Sequence, residues 1–161
     1  MIGGMPGEMP GDVTERYFED YEPGAVFTSG SIAVSEAEII DFARRYDPQA
    51  MHTDPEAARS GRFGGLIASG WHTAALMMRL FATNFLSPAS SVASPGIDEL
   101  RWLQPVRPGD ALHLRVTVVE ARRSRSRPQE GIVRSLIEVL NQDDAVVMSL
   151  RPISMIACRP R

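Results

Sequence analysis

The C-terminal part of the chain alternates between apolar and polar side chains, and this pattern limits the possible folds most. Its clearest segment is Leu112, His113, Leu114, Arg115, Val116, Thr117 and Val118. A period of two is typical of a strand with one buried face. Strand character also marks Ile97–Gln104, Ile132–Leu140 and Ala145–Ala157. Because the connections between these segments are short, we expect four consecutive strands to form an antiparallel sheet.

Two of these strands carry information about their place in the sheet. Ile132–Leu140 is apolar on both faces, which indicates a central strand or a strand at a subunit interface. Pro152 interrupts the last segment and cannot donate a ladder hydrogen bond, which favours an edge strand or a bulge there. The residues between Pro88 and Ile97 are rich in Ser and Ala and predict a loop.

The N-terminal half has helical patterns instead. After a predicted strand at Val26–Val34, Ser35 and Glu38 form a capping box that begins a helix ending at Tyr46. Asp54 followed by Pro55 predicts a short second helix. A longer helix is expected at Ser69–Leu86, with an apolar stripe of Trp71, Ala74, Ala75, Met78, Phe81 and Phe85, widened by Met77 and Leu80.

One fold class accommodates this order of elements. A segment rich in helices precedes four strands, so the helices must cover one face of the sheet. We therefore expect an α+β domain in which a curved antiparallel sheet of about five strands encloses a long, mostly buried central helix.

Size and composition exclude several classes of protein. At 161 residues the chain fits one domain, with a flexible N-terminal tail at residues 1–14 and a folded domain at 15–161. A net charge of −3 gives no field for nucleic acid or anionic membrane. No apolar run approaches the roughly 20 residues of a membrane span, and the N-terminus lacks signal-peptide features. With Cys158 as its only cysteine, the protein is expected to be cytoplasmic.

The stretch from Tyr46 to His52 is the strongest candidate for chemistry. Asp47 and His52 lie five residues apart in the break between two predicted helices, next to Pro48. A polar pair in such a break is held by the backbone and can face a shared cleft. The alternative is an Asp-Pro that ends a helix, followed by a surface histidine.

The same stretch resembles the Asp-x-Asn-Pro-x-His motif of the MaoC-like hydratase/dehydratase family, which has the hot-dog fold and includes (R)-specific enoyl-CoA hydratases. The run from Phe63 to Gly70 and the turn from Pro105 to Asp110 support the resemblance, which covers roughly residues 17–157. Gln49 and Ala50 depart from the motif, since they stand where the family usually has Asn and Pro.

The resemblance implies a site and an assembly. Asp47 and His52 would activate a water, the Gly70 amide would stabilise the thioester oxyanion, and Ser69 and Gln49 would support the dyad. It also implies a homodimer that acts on acyl thioesters such as enoyl-CoA and needs no cofactor.

The residue types fit that chemistry independently. An imidazole is a suitable base at neutral pH, and burial against an apolar helix would raise the pKa of the Asp47 carboxyl. Free amides at a helix start suit an enolate oxygen.

Other residues are candidate contacts for substrate or metal. Arg122, Arg123, Arg125 and Arg127 could bind coenzyme A phosphates, although a solvated hairpin tip explains them slightly better. Four further residues are expected to line the acyl site while also serving the core, namely Trp71, Met77, Met78 and Phe81. His52, Asp54 and His72 lack metal-ligand spacing, so no metal is expected. His113 should face solvent, and the residues around Ser69 lack a nucleophile elbow.

These observations favour a hydro-lyase that interconverts trans-2-enoyl and 3-hydroxyacyl thioesters. One alternative is a hot-dog thioesterase in which Asp47 activates water against the thioester carbonyl. The other is a module that binds acyl thioesters without turnover.

Overall fold

The structure, a computed structural model, describes residues 12–161. Two 3-10 turns at Val13–Glu15 and Phe18–Asp20 precede the main elements. These are β1 Val26–Thr28, β2 Ile32–Ala33, α1 Glu36–Tyr46, α2 Ala50–Thr53, α3 Pro55–Arg59, α4 Gly70–Asn84, β3 Ser91–Trp102, β4 Ala111–Arg123, β5 Glu130–Leu140 and β6 Val146–Ala157. Residues 1–11 of the predicted tail lie outside the described residues, and its last residues enter the first 3-10 turn.

The strands form an antiparallel sheet in the order β1-β4-β5-β6-β3, with β2 also paired to β4. β5 is central, as its two apolar faces predicted. Leu112, Leu114, Val116 and Val118 are at most 1% exposed, so the alternation in β4 is that of a strand with one buried face. With α4 packed against this core, the chain has the predicted α+β hot-dog fold.

The helix boundaries follow the capping residues. The Ser35 hydroxyl accepts a hydrogen bond from the Glu38 amide, and the Glu38 carboxylate accepts one from the Ser35 amide. Asp54 accepts hydrogen bonds from two amides of α3, and the Ser69 hydroxyl accepts one from the Trp71 amide at the start of α4. Within the described residues, no helix is long and apolar enough to cross a membrane.

Two strand predictions need correction. The expected strand at Val26–Val34 is divided into β1 and β2, because the Ser29 hydroxyl accepts the hydrogen bond of the Leu114 amide in place of a backbone carbonyl. β3 begins at Ser91, where a loop was expected. It lies at the sheet edge and pairs with β6 through three register shifts, which accommodates Pro95.

Pro152 was expected to mark an edge strand or a bulge, and the first of these two expectations is not met. Its strand, β6, lies between β5 and β3, so the prediction of an edge strand is wrong. Pro152 is opposite Ile97, and the pairing of β3 with β6 is irregular on both sides of this pair. The extra residues of these irregularities lie in β3 and not in β6. Pro152 has no amide hydrogen to donate, so a regular ladder with β3 would be incomplete at this position.

The buried face of α4 differs from the predicted stripe. Trp71 and Met78 are 59% and 45% exposed. The buried residues are His72, Thr73, Met77, Leu80 and Phe81. Both faces of this helix are apolar, so periodicity alone did not identify the face that meets the sheet.

Candidate active site

A cleft of about 460 Å³ opens between the end of α1, the start of α4 and the end of β3. It contains both members of the predicted dyad and the Gly70 backbone. Its other principal lining residues are Gln49, Met51, Phe63, Ile67, Trp71, Thr73, Trp102, Leu103 and Val106. A polar pair therefore faces a largely apolar cavity, which is typical of sites for small molecules.

Asp47 follows the last residue of α1, and its amide donates to the Ala43 carbonyl. The carboxylate accepts two side-chain hydrogen bonds, at 2.7 Å from the Ser69 hydroxyl and at 2.6 Å from the Gln49 amide. These donors, Ser69 first, hold the pKa of Asp47 below its ordinary value, although burial opposes them. The expected rise in the pKa of this carboxyl is therefore wrong, because hydrogen bonds to the charged form outweigh burial.

His52 lies on the one-turn helix α2 and is 4% exposed. Its Nδ1 is 2.8 Å from the Ile67 carbonyl oxygen, which can only accept, so Nδ1 carries a proton. Nε2 is 3.3 Å from Oδ2 of Asp47. If the ring is neutral, Nε2 has no proton and can only accept a hydrogen bond. Asp47 Oδ2 is also an acceptor, so a water between the two atoms could donate a hydrogen to each.

The start of α4 completes this group of residues. Ser69 is fully buried, and its hydroxyl both donates to Asp47 and accepts from the Trp71 amide. Gly70 is the first residue of α4, and within residues 12–161 its amide has no acceptor. Trp102 Nε1 donates to the Gly70 carbonyl at 2.9 Å, and a Cβ at Gly70 would overlap the indole. A larger residue at position 70 would therefore displace the indole.

Comparison with known proteins gives the family. A model described as "MaoC like domain" matches residues 20–139. The chain belongs to this family. A MaoC-like dehydratase from Rhodospirillum rubrum has 42% sequence identity and a TM-score of 0.84, and the match covers 91% of this chain and 99% of that one.

Two curated relatives extend the comparison of this MaoC-like chain. YdeM of Bacillus subtilis, described as uncharacterized, is 33% identical over 129 residues, which are 80% of this chain and 90% of that protein. The 3-hydroxyacyl-thioester dehydratase Z of Mycobacterium tuberculosis is 28% identical over 110 residues, which are 67% of this chain and 73% of that protein.

The arginines of the β4–β5 hairpin do not line the cleft of this MaoC-like chain. Arg122 lies 3.3 Å from Glu120, Arg123 lies 3.5 Å from Glu19, and Arg127 lies 3.7 Å from Glu130. Arg125 is exposed at the hairpin tip. The structure therefore does not place the four predicted phosphate-binding arginines beside Asp47 and His52. Three of their guanidinium groups already lie next to a carboxylate.

The predicted acyl-lining residues are divided between two cavities. Trp71 lines the cleft that holds Asp47. Met77, Met78 and Phe81 instead line a cavity of about 190 Å³ between α4 and strands β3 and β6. A role for these three residues in acyl binding stays a prediction.

The remaining histidines lie outside the dyad. His72 stacks on Phe42 with ring centroids 4.8 Å apart, and burial lowers its pKa. Among residues 12–161, no group of three His, Cys, Asp or Glu side chains could hold a metal. His113 Nε2 is 3.4 Å from Asp144, and only 19% of this histidine side chain is exposed, so it is largely covered where solvent exposure was expected.

Trp102 is a site residue that the sequence did not indicate. It lies at the end of an edge strand and contacts Gly70, 32 positions earlier in the chain. No local pattern marks such a contact. An aromatic residue ending a strand is ordinary, so only the tertiary structure identifies it.

Proposed function

We propose that this MaoC-like protein is a hydro-lyase that interconverts trans-2-enoyl thioesters and 3-hydroxyacyl thioesters. The observation that carries the proposal is the proximity of Asp47 Oδ2 and His52 Nε2, which lie 3.3 Å apart in an apolar cleft. The relatives named as dehydratases support the same reaction class.

In the proposed hydration, a water donates one hydrogen to Asp47 and the other to Nε2 of His52. His52 takes a proton as the water oxygen bonds to C3 of the enoyl group. The electron pair of the C2–C3 double bond moves towards the thioester carbonyl, and C2 then takes the proton from His52. The ionised state of Asp47, favoured by Ser69 and Gln49, suits a group that only accepts hydrogen bonds from the water.

The Gly70 amide is the proposed donor to the developing enolate oxygen. It is the first amide of a 15-residue helix and has no acceptor within residues 12–161. An unpaired amide at the positive end of a helix stabilises charge that develops in the transition state.

The proposal is tested by following the absorbance of an enoyl thioester with Asp47→Asn and His52→Ala. Each change should lower kcat by about 10²- to 10⁴-fold, the usual contribution of acid–base catalysis. His113→Ala is a matched control, because it removes an imidazole 3.4 Å from a carboxylate but outside the cleft. Retention of most activity in both dyad variants would refute the assignment.

The same reaction run with a thiol reagent separates the alternatives. Release of free thiol that depends on Asp47 would identify a thioesterase. Saturable binding of acyl-CoA without turnover over several chain lengths would identify a binding module.

A homodimer formed through β3 is part of this proposal. β3 has only β6 as a neighbour in the described sheet, and exposed apolar side chains lie along and just beyond it. They are Val92, Ile97, Trp102 and Leu103, each 45% to 53% exposed. An open strand edge with apolar residues is a surface that a second chain would cover.

Sedimentation measurements on the wild type and on Ile97→Lys test the dimer. We expect a wild-type dimer and a shift of the variant towards monomer. A monomeric wild type at micromolar concentration would contradict this part of the proposal.

A further inference from the structure

A further depression, of about 300 Å³, lies beside the wall of the candidate active site. Its lining includes Arg59 at the end of α3, Arg107 in the turn before β4, and the backbone of Gly64 and Gly65. Nothing in the proposed catalytic steps uses these residues.

The two arginines bring positive charge to this depression. Arg107 Nη2 donates to the Phe63 carbonyl at 2.6 Å, which fixes this half-buried guanidinium against the glycine loop. Neither Arg59 nor Arg107 has a carboxylate within ion-pair distance in the described part of the chain, unlike three of the four hairpin arginines. Glu36 also lines the depression, so one carboxylate faces two guanidinium groups.

The loop adds backbone donors to this charge. Gly64 adopts a positive φ of 68°, which an L side chain rarely adopts, and its own amide donates to the Gly61 carbonyl. The next two amides, those of Gly65 and Leu66, have no acceptor within residues 12–161. Unpaired amides beside guanidinium groups are the usual donors to phosphate oxygens.

The depression and the cleft share the same wall. Phe63, Ile67 and Val106 line the cleft. Their neighbours in the sequence, including Gly65 and Arg107, line the depression. Gly65 and Ile67 are two positions apart, so their Cα atoms are separated by at most about 7 Å. The depression therefore adjoins the cleft, so the flexible pantetheine arm of an acyl carrier whose thioester lies at Asp47 would connect the two.

We propose that Arg59, Arg107 and the amides of Gly65 and Leu66 bind a phosphate of the carrier that presents the acyl thioester. This proposal rests on the proposed function for its ligand, and it locates the carrier's phosphate in this depression and away from the β4–β5 hairpin. The pairing of guanidinium forks with phosphate oxygens is the interaction that would recognise the carrier.

The decisive experiment compares two substrates that differ in phosphate content, crotonyl-CoA and the crotonyl thioester of N-acetylcysteamine. Arg59→Gln and Arg107→Gln should each lower kcat/KM for crotonyl-CoA roughly tenfold, mainly through KM. Neither change should affect the N-acetylcysteamine thioester. Arg79→Gln is the matched control, since it removes one exposed arginine of α4 that lies outside both cavities.

Substrate dependence separates a phosphate contact from a structural role. If Arg107→Gln merely loosens the loop held through Phe63, the loss will be equal for both substrates, which would overturn the proposal. Unchanged kcat/KM for crotonyl-CoA in both variants would overturn it as well.

Calorimetric binding keeps this test independent of catalysis. Wild-type protein should bind coenzyme A more tightly than pantetheine. In Arg59→Gln the ratio of the two dissociation constants should be roughly tenfold smaller than in the wild type. If no thioester is hydrated but this difference is observed, the proposed function fails while the phosphate site stands. Equal affinities for coenzyme A and pantetheine in the wild type would refute the phosphate site. 4′-Phosphopantetheine should bind as tightly as coenzyme A if its own phosphate is the bound group, and as weakly as pantetheine if a phosphate of the nucleotide end is bound.

Discussion

Replacement of Ser69 by alanine is the most informative single perturbation of the site. The Ser69 hydroxyl accepts from the Trp71 amide at 3.2 Å and donates to Asp47 Oδ2 at 2.7 Å. It therefore caps α4 and at the same time fixes one member of the proposed dyad. Because Ser69 is fully buried, no bulk water replaces the lost hydroxyl.

The structure gives the size of the expected loss at neutral pH. A hydrogen bond to a charged group contributes about 1.5–3 kcal/mol. Loss of a serine cap costs about 1 kcal/mol. Since the Asp47 side chain is 18% exposed and partly screened, we expect a total near the lower end, about 2.5 kcal/mol. That is a large fraction of the roughly 5–15 kcal/mol by which domains are stable, but the variant should still fold.

The loss should depend on pH in a defined direction. The folded-state pKa of Asp47 is depressed from the ordinary 3.8, chiefly by Ser69. A depressed carboxyl stabilises the fold at pH values above its unfolded pKa and loses that contribution as pH falls through the folded pKa. The gap between wild type and Ser69→Ala should therefore narrow on acidification, towards the roughly 1 kcal/mol of the cap alone.

Urea unfolding of both proteins at about pH 7 and about pH 3 measures this gap. Ser35→Ala is the control, because it removes the capping hydroxyl of α1, which donates to the exposed carboxylate of Glu38 and does not contact Asp47. It should cost about 1 kcal/mol at neutral pH and leave enoyl-thioester hydration unchanged. A loss in Ser69→Ala no larger than in this control, or one that stays constant on acidification, would refute the reasoning.

Two further predictions concern neighbouring residues. Gln49→Ala removes the second donor to Asp47, at 2.6 Å, so the pKa of Asp47 should rise and the acidic limb of the rate profile should move to higher pH. An unchanged pH–rate profile would contradict this role of Gln49. Gly70→Ala forces Trp102 away from the Gly70 carbonyl, so we expect a loss of about 1–3 kcal/mol in unfolding free energy and a lower kcat. A variant with wild-type melting and turnover would show that the indole contact does not matter.

Much of the architecture was predictable because its causes are local. Period-two alternation in β4 and the serine and aspartate caps at Ser35, Asp54 and Ser69 depend on residues only a few positions apart. The two apolar faces of β5 likewise indicated its central position. Local patterns were insufficient for β3, where Pro95 is tolerated only because the strand lies at an edge with bulges.

The sequence by itself determined the strand order along the chain, the helix starts, and the identity of Asp47, His52, Ser69 and Gly70 as candidates. The tertiary structure alone decided their electrostatics, because the hydroxyl that lowers the pKa of Asp47 is 22 positions away. It also decided which face of α4 is buried, which of the hairpin arginines lie beside carboxylates, and that Trp102 covers Gly70. Ionisation and packing depend on neighbours in space, and folding brings those neighbours from distant parts of the chain.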